Sequence, residues 1–425
     1  MIRPTSKRMA LLFTLLLCSV SMYVYWSHLR RNWGGSPEPQ ARALRTDLFA
    51  QWYGARELLL HHRDPYSDDV TREVQIGYYG QQLDPSKAGD ISHQQRFAYP
   101  LYVVFFLAPT VNLQYRTVEI IFLVLLAIVS ALSIPLWGRS IELSLSASPW
   151  LLLMVICSTS IPYLQAFDLL QLALLVAAFL AAAAASAASG HLFLAGAFLA
   201  LSTIKPQLSF LPIAWFLLWV VSGWRERRTL LGGFVVMMGA LILSSEWLMP
   251  SWLLRFPAVL MAYEKHTKAP SLLGALLPGP LRWLAAIIVI VAAAPLCRRA
   301  LSRPAGSFSF ALALASSLTL STLLVPAVFQ PFNYVVLMPV LLLVIRYWSD
   351  LFLGSRLARF GAYSCCALAL LPWPLAVAVA LGQLLPSLAW LQKAWFAPLN
   401  ASLGLPFAAF GFVMLLSMTE NRRSL

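Results

Sequence analysis

Two charged residues stand where chemistry could be done in an otherwise apolar chain. Asp47 opens "TDLFAQWYGARELLLHHRDPYS" (46–67), the first polar-rich stretch after the first hydrophobic run. Lys205 lies inside "LSTIKPQLSFLP" (201–212), within a hydrophobic segment. A carboxylate within hydrogen-bond reach of a hydroxyl can serve as a general base. An ionisable residue inside a membrane segment is a functional candidate by default, and a compact ammonium suits an anionic phosphate. Each also has a structural reading: Thr46 or Asp47 can cap the following helix, and Lys205 can snorkel to the interface. Other polar groups gather in three places. "FAYPLYVVFFLAPT" (97–110) starts with Tyr99-Pro100, "YEKHTKAPSLLGALL" (263–277) carries His266, Lys268 and Ser271, and "VPAVFQPFNYVVLMP" (325–339) carries Gln330, Asn333 and Tyr334. A helix start accounts for the first alone and a solvated loop for the others.

The elements that must position these groups are set by hydrophobicity. Of 425 residues, 60% are hydrophobic and only 11% are charged. Many apolar runs reach roughly 17 to 22 residues, enough to cross a hydrocarbon core of about 30 Å. Backbone groups there have no water to bond, so the runs must be helices or a closed barrel. They are continuous rather than alternating, which selects helices. The expectation is an all-α, polytopic transmembrane bundle forming one integral membrane domain over 1–425, with surface helices in its loops. Besides the first run (9–26), the apolar segments fall at 97–112, 117–137, 150–165, 169–188, 192–221, 231–249, 281–296, 308–325, 332–347, 360–381 and 403–419.

The net charge of +14 does not indicate nucleic acid. The arginines cluster in short loops: Arg225, Arg227 and Arg228; Arg298, Arg299 and Arg303; Arg346, Arg356 and Arg359; Arg422 and Arg423. The positive-inside rule places such loops in the cytoplasm. Arg3, Lys7 and Arg8 before the first apolar run then read as the start of an uncleaved first helix. This orientation puts the first long loop (30–96) and a second loop (250–280) on the extracytoplasmic face of the inner membrane. The five cysteines lie in or beside apolar segments and read as small core fillers.

Two topologies fit upstream of Arg225. In one, 97–112 crosses the membrane and 192–221 is a single helix with Lys205 near its middle. In the other, 97–112 is re-entrant or lies at the surface, and 192–221 breaks at "KPQ" (205–207) with Lys205 facing outside. A buried unpaired lysine costs about 2.5–3.5 kcal/mol on insertion scales, and Pro206 disfavours a continuous helix; both arguments favour the second. In the first loop, Leu48, Phe49, Trp52, Tyr53, Leu59 and Leu60 fall on one helix side, with Gln51, Gly54 and Glu57 on the other. That segment should lie on the interface, apolar side down, and end at His62-Arg63-Asp64-Pro65-Tyr66. No nucleotide-binding loop is present. His61, His62, Asp64 and His93 make only a weak metal set, so no metal is expected.

The order of "WYGARELLLHHRDPY", "FAYPLYVVFFLAP", "LALSTIKPQLSFLP", "APSLLGALL" and "LVPAVFQPFNYVVLMPVLLL" over about residues 45–345 resembles glycosyltransferase family 87, of the C-type glycosyltransferase superfamily. The resemblance implies the C-type glycosyltransferase fold. It also implies an inverting hexosyltransferase that moves a sugar, commonly mannose, from a polyprenyl-phosphate carrier to a glycan or glycolipid acceptor on the extracytoplasmic face. By that resemblance Asp47 is the base and Lys205, beside Gln207, faces the donor phosphate. Arg96 would help hold the leaving charge, while Asp64, Tyr66 and Tyr99 shape the first loop. Ser271 lines the outer mouth, with His266 and Asn333 on the same side. The partners implied are membrane lipid, the lipid-linked donor and the acceptor; no cofactor is implied. Three departures stand out: Leu101 follows Tyr99-Pro100 where the family often has a second proline, Phe167-Asp168 stand where it often has Gly-Gln, and Val325-Pro326 and Asn333-Tyr334 stand in place of a late Ser-Pro and His. The rival class is a transporter or flippase of a lipid-linked sugar, for which internal repeats and midplane polar groups would be expected.

Overall fold

The computed structural model describes residues 16–17, 19–27, 46–83, 94–144, 146–267, 269–352 and 354–423, and no β-strand occurs among them. Helix α1 covers 19–27. The first loop contributes α2 (Leu48–His61) and α3 (Asp68–Tyr79). Then follow α4 (Val103–Leu107), α5 (Tyr115–Ser140), α6 (Ala147–Ser158), α7 (Ile161–Asp168), α8 (Ala173–Ala188), α9 (Leu192–Ser202), α10 (Pro206–Ser222) and α11 (Trp224–Leu248). The second loop holds α12 (Trp252–Thr267) and α13 (Leu272–Leu276). The remaining helices are α14 (Leu281–Ala300), α15 (Phe308–Leu324), α16 (Met338–Arg346) after a 3₁₀ segment at Pro331–Leu337, α17 (Trp348–Phe352), α18 (Arg356–Leu370), α19 (Pro372–Leu384), α20 (Ala397–Ser402) and α21 (Leu405–Arg423).

Among the described residues five helices are long and apolar enough to cross a membrane: Tyr115–Ser140, Trp224–Leu248, Leu281–Ala300, the α18–α19 run Arg356–Leu384 and the stretch Ala397–Thr419. The α6–α7 pair makes a sixth if counted as one span, bent by 63°. The most enclosed helix is α15, whose Ser317, Thr319, Ser321 and Thr322 hydroxyls are buried and donate back to carbonyls one turn earlier. Returning the hydroxyls to the helix backbone lets a buried helix carry them without orphaned donors. Helices α9 and α11 cross in backbone contact. A Cβ on Gly196 would sit 1.9 Å from Leu230 O, and one on Gly233 would sit 1.9 Å from Phe193 O. Small residues make such crossings possible where lipid supplies no hydrophobic drive between helices.

The bundle has two distinguishable ends. At one, Arg227 Nη1 donates to Trp219 O and Leu301 O, both at 2.7 Å, and Nη2 donates to Arg303 O at 3.3 Å. Gly306 packs against Ala188 near Ser140 O, and Arg346 lies 3.6 Å from Glu142. The arginine loops and the far end of α5 therefore share this end. At the other end, Asp47 N–H donates to Leu169 O at 3.0 Å, and the hydroxyls of Thr46 and Tyr115, at the start of α5, contact each other.

This arrangement decides between the two topologies. Segment 97–112 forms only the five-residue α4 and a 3₁₀ turn at Ala108–Thr110, too short to cross. Segment 192–221 breaks between Ser202 and Pro206, with Lys205 at φ −131° and ψ 78° immediately before α10. The single-helix alternative is overturned, because Pro206 lacks the N–H and crowds the preceding turn.

The orientation expected for α2 is also corrected. Its polar side is not in water: Gln51, Gly54 and Glu57 are buried, while Leu60 is exposed. Glu57 can be buried because Arg63 folds back to pair with it at 2.7 Å. The ends of this helix follow the expected chemistry at one end only. His62 closes it in the left-handed region (φ 54°), just ahead of the Asp64-Pro65 turn. At the other end Asp47 occupies the cap position but makes no side-chain capping bond. The capping role is therefore overturned, and the carboxylate is turned elsewhere.

Candidate functional site

The Asp47 carboxylate points into a chain of hydrogen bonds that links five separated positions of the sequence. Its Oδ1 accepts from Gln95 Nε2 at 3.2 Å, and its Oδ2 accepts from Gln171 Nε2. Gln171 Oε1 in turn accepts from Lys205 Nζ at 2.9 Å. Lys205 also donates to Asn333 Oδ1 at 2.9 Å, and Asn333 Nδ2 donates to Val328 O at 3.3 Å. Asp47 is half-buried, whereas Lys205 is 4% exposed and Asn333 fully enclosed. The lysine ammonium also lies 4.7 Å from the centre of the Phe332 ring, whose backbone N–H donates to Gln165 Oε1 at 3.0 Å. Among the described residues no carboxylate lies within ion-pair distance of Lys205, so its hydrogen-bonded partners are neutral amide oxygens.

The backbone is bent to make this possible. Gln95 has φ 42° and Leu170, next to Gln171, has φ 48°. Bulky residues rarely enter that region, and such conformations cost about 1–3 kcal/mol each. Both outliers aim a glutamine at the same carboxylate. The α9–α10 break is pinned from outside, where Tyr102 Oη donates to Thr203 O at 3.0 Å.

Three tyrosines face Asp47 from three elements: Tyr79 at the end of α3, Tyr99 in the 94–102 loop and Tyr263 on α12. Burial pushes the Tyr263 hydroxyl up to about 12, and the nearby Asp47 charge adds to it. The hydroxyls of Tyr79 and Tyr99 are raised for the same two reasons, burial first. Helix α12 is held over the first loop by Arg255 Nη1 donating to Asp64 Oδ2 at 2.7 Å and by Phe256 against Tyr66.

Asp47, Lys205 and Asn333 thus come together, and Tyr99 joins them. Asp64 and Tyr66 shape the loop: Asp64 Oδ1 accepts from Tyr66 N–H and Tyr66 Oη donates to Tyr99 O, both at 2.8 Å. Arg96 serves the loop too. Its Nη2 reaches Tyr66 O and Asp68 Oδ1 at 3.4 Å, and burial pulls its guanidinium below the usual range, with Asp68 opposing. Gln207 is half-buried on the first turn of α10 and, among the described residues, has no hydrogen bond to the chain. Ser271 caps α13, its Oγ accepting from Gly274 N–H at 3.1 Å. His266 lies on the last turn of α12, and its side chain is outside the described residues, as are Lys268 and His93. Among the described residues no group of His, Cys, Asp or Glu is placed to hold a metal.

Sequence reasoning missed Gln95, Gln171, Tyr79 and Tyr263. Gln171 supplies a glutamine four residues after Phe167, where Phe167-Asp168 had been set against the Gly-Gln of family 87. A polar residue in "DLLQLALL" at the start of an apolar run was the available signal. Compared with known protein families, curated proteins and solved structures, the chain has no match.

Proposed function

We propose that this chain is a membrane glycosyltransferase that moves a hexose from a polyprenyl-phosphate carrier to a lipid or glycan acceptor at the aspartate end, which the arginine pattern assigns to the extracytoplasmic face. The observation that carries the reading is the Asp47–Gln171–Lys205 relay: a half-exposed carboxylate separated by one amide from a buried ammonium with no carboxylate against it. The motif order shared with family 87 points the same way.

In this mechanism Asp47 takes the proton of an acceptor hydroxyl. The acceptor oxygen forms a bond to the anomeric carbon as the bond from that carbon to the phosphate oxygen breaks, with inversion. The polyprenyl phosphate leaves with the electron pair, and the Lys205 ammonium stabilises the charge that develops on it. Tyr79, Tyr99 and Tyr263 offer aromatic faces and hydroxyls to the pyranose rings. The test is transfer from radiolabelled polyprenyl-phosphate hexose in membranes containing the chain. Replacing Asp47 by Asn should lower the rate by about 10²–10⁴-fold, the range for a general base, with donor binding retained. A folded variant that transfers at the wild-type rate refutes the reading.

A transporter remains a second reading because the two broken helices, α6–α7 and α9–α10, are a feature of transporter sites. Movement of the intact lipid-linked sugar across vesicles, without product formation and indifferent to Asp47→Asn, would favour it.

A further inference from the structure

At the end of the bundle away from Asp47, two helix corners are joined by one buried cation. The α10–α11 corner (220–230) and the α14–α15 corner (296–307) together hold six arginines and one acidic residue, Glu226. Arg227 is the arginine that turns inward. Besides donating to Trp219 O, Leu301 O and Arg303 O, it lies 4.1 Å from the centre of the Trp219 ring. The Trp219 indole N–H donates to Arg303 O at 2.8 Å, and Ser222 Oγ donates to Leu301 O at 2.7 Å. The carbonyls at the ends of α10 and α14 are therefore already satisfied from within, and the two corners form one surface.

The other arginines face outward. Arg225, Arg228, Arg298 and Arg303 are exposed, and among the described residues none of them has an ion-pair partner. The Arg227 bonds hold these like charges side by side, where they repel; an anion among them turns that repulsion into attraction. The cations also stand at the ends of apolar stripes. On α14, Leu284, Ile288, Val291, Pro295 and Arg298 follow one another at intervals of three and four, so one exposed face runs from hydrocarbon into a cation. On α10, the exposed Phe210, Leu218 and Val221 lead to the exposed Trp224 and Arg225 that begin α11. A tryptophan in that place marks the level of the lipid headgroups.

We infer that these joined corners bind the headgroup of a phospholipid with a net negative charge, in the leaflet at the arginine end, with its acyl chains along the stripes of α10 and α14. Basic surfaces between transmembrane helices suit such headgroups. A zwitterionic headgroup brings its own cation and answers the arginines poorly, and a soluble anion makes no use of the stripes. The site lies at the opposite end from Asp47 and does not depend on the transferase reading.

The experiment uses the full chain in phosphatidylcholine vesicles that contain a small fraction of phosphatidylglycerol with a photoreactive group in its acyl chain. Crosslinks should map to α10, α11 and α14 in the half towards Arg228 and Arg298. The same probe with a phosphatidylcholine headgroup should label these peptides at least about fivefold less, since each arginine near the surface accounts for about fivefold in affinity for an anionic lipid. Arg228→Gln combined with Arg298→Gln should lower phosphatidylglycerol labelling by up to about 25-fold on the same scale, while Arg228→Lys with Arg298→Lys should keep most of it. Arg356→Gln with Arg359→Gln, which removes the same charge from another corner of the same end, should leave it unchanged. Equal labelling by the two headgroups, or labelling untouched by the glutamine pair, overturns the inference. So does an equal loss in the Arg356 and Arg359 pair, which would reduce the effect to general surface charge. Displacement of the probe by inorganic phosphate overturns it too, because the corner would then be a site for a free anion. The headgroup comparison on the unmutated chain decides the matter even where a variant fails to fold.

Discussion

Gln171 joins the two charged groups of the site, so replacing it by leucine, a side chain of similar size, interrogates the relay directly. The change removes the donor to Asp47 and the acceptor for Lys205 at once. A hydrogen bond to a charged group contributes about 1.5–3 kcal/mol. Asp47 is half-exposed and water can replace its lost donor, so its share falls near or below the low end. Lys205 is 4% exposed and cannot recruit water without a rearrangement, so its share is the larger, about 2–2.5 kcal/mol. Gln171→Leu should therefore destabilise the chain by about 3–4 kcal/mol. In a Lys205→Met background the lysine share has nothing to act on, and the same substitution should cost about 1–1.5 kcal/mol. The coupling of about 2 kcal/mol is the quantity of interest, since separate sites add within about 0.3–0.5 kcal/mol. Equilibrium unfolding of the four proteins in mixed detergent micelles measures it. Equal penalties in the two backgrounds would show that the amide does not join the lysine to the aspartate, and the mechanism built on that join would fail with it.

Other consequences are simpler to state. Gly233→Leu should abolish the folded chain, because its Cβ would fall 1.9 Å from a backbone oxygen that cannot move aside; recovery of monodisperse protein by size-exclusion chromatography checks this. A cysteine at Ser144 should react with impermeant maleimide only from the side of Arg227 and Arg303, since Ser140 and Glu142 share their end; labelling from the Asp47 side would restore the discarded topology. Acid should loosen the first loop. The hydrogen bonds from Arg63, then from Tyr53, hold the Glu73 carboxyl below its usual range. A depressed folded value stabilises above the unfolded value of about 4.3 and loses that contribution as pH falls through the folded one. Protease cutting between α2 and α3 should therefore rise below that range, and Glu73→Gln should make cutting independent of pH there.

Much of the architecture could be read from the chain because a bilayer leaves few choices. An apolar run such as 117–137 must pay for its backbone polar groups internally, so α5 was legible to within a few residues. The break at Lys205 was legible for the same reason, since a lysine and a proline together oppose a continuous buried helix. The face of α2 was not. Its hydrophobic side is set by Arg63 returning to Glu57 and by Phe97 crowding Gly54, contacts that periodicity does not encode. Asp47 and Lys205 were visible as charges out of place, but Gln171 was hidden because an amide in an apolar run carries no charge to betray it. Its partners lie 124 and 34 positions away, and only the folded chain brings them within reach.

The amide between the two charges has a physical purpose that a direct ion pair could not serve. Unit charges in contact at about 4 Å attract by about 4 kcal/mol at an effective dielectric constant of 20. A lysine so paired would have its charge answered by the aspartate, and the aspartate would hold its proton-accepting lone pairs against the ammonium. Placing Gln171 between them roughly halves the attraction, which falls inversely with distance, yet keeps both groups oriented through its two ends. The half-exposed carboxylate stays open to solvent on one side, and the buried ammonium keeps neutral amide oxygens as its hydrogen-bond partners. The left-handed conformations at Gln95 and Leu170 fit this arrangement. Two glutamines are forced onto one carboxylate at a cost in backbone strain, and the result is a half-exposed carboxylate joined through an amide to an ammonium held by amide oxygens alone.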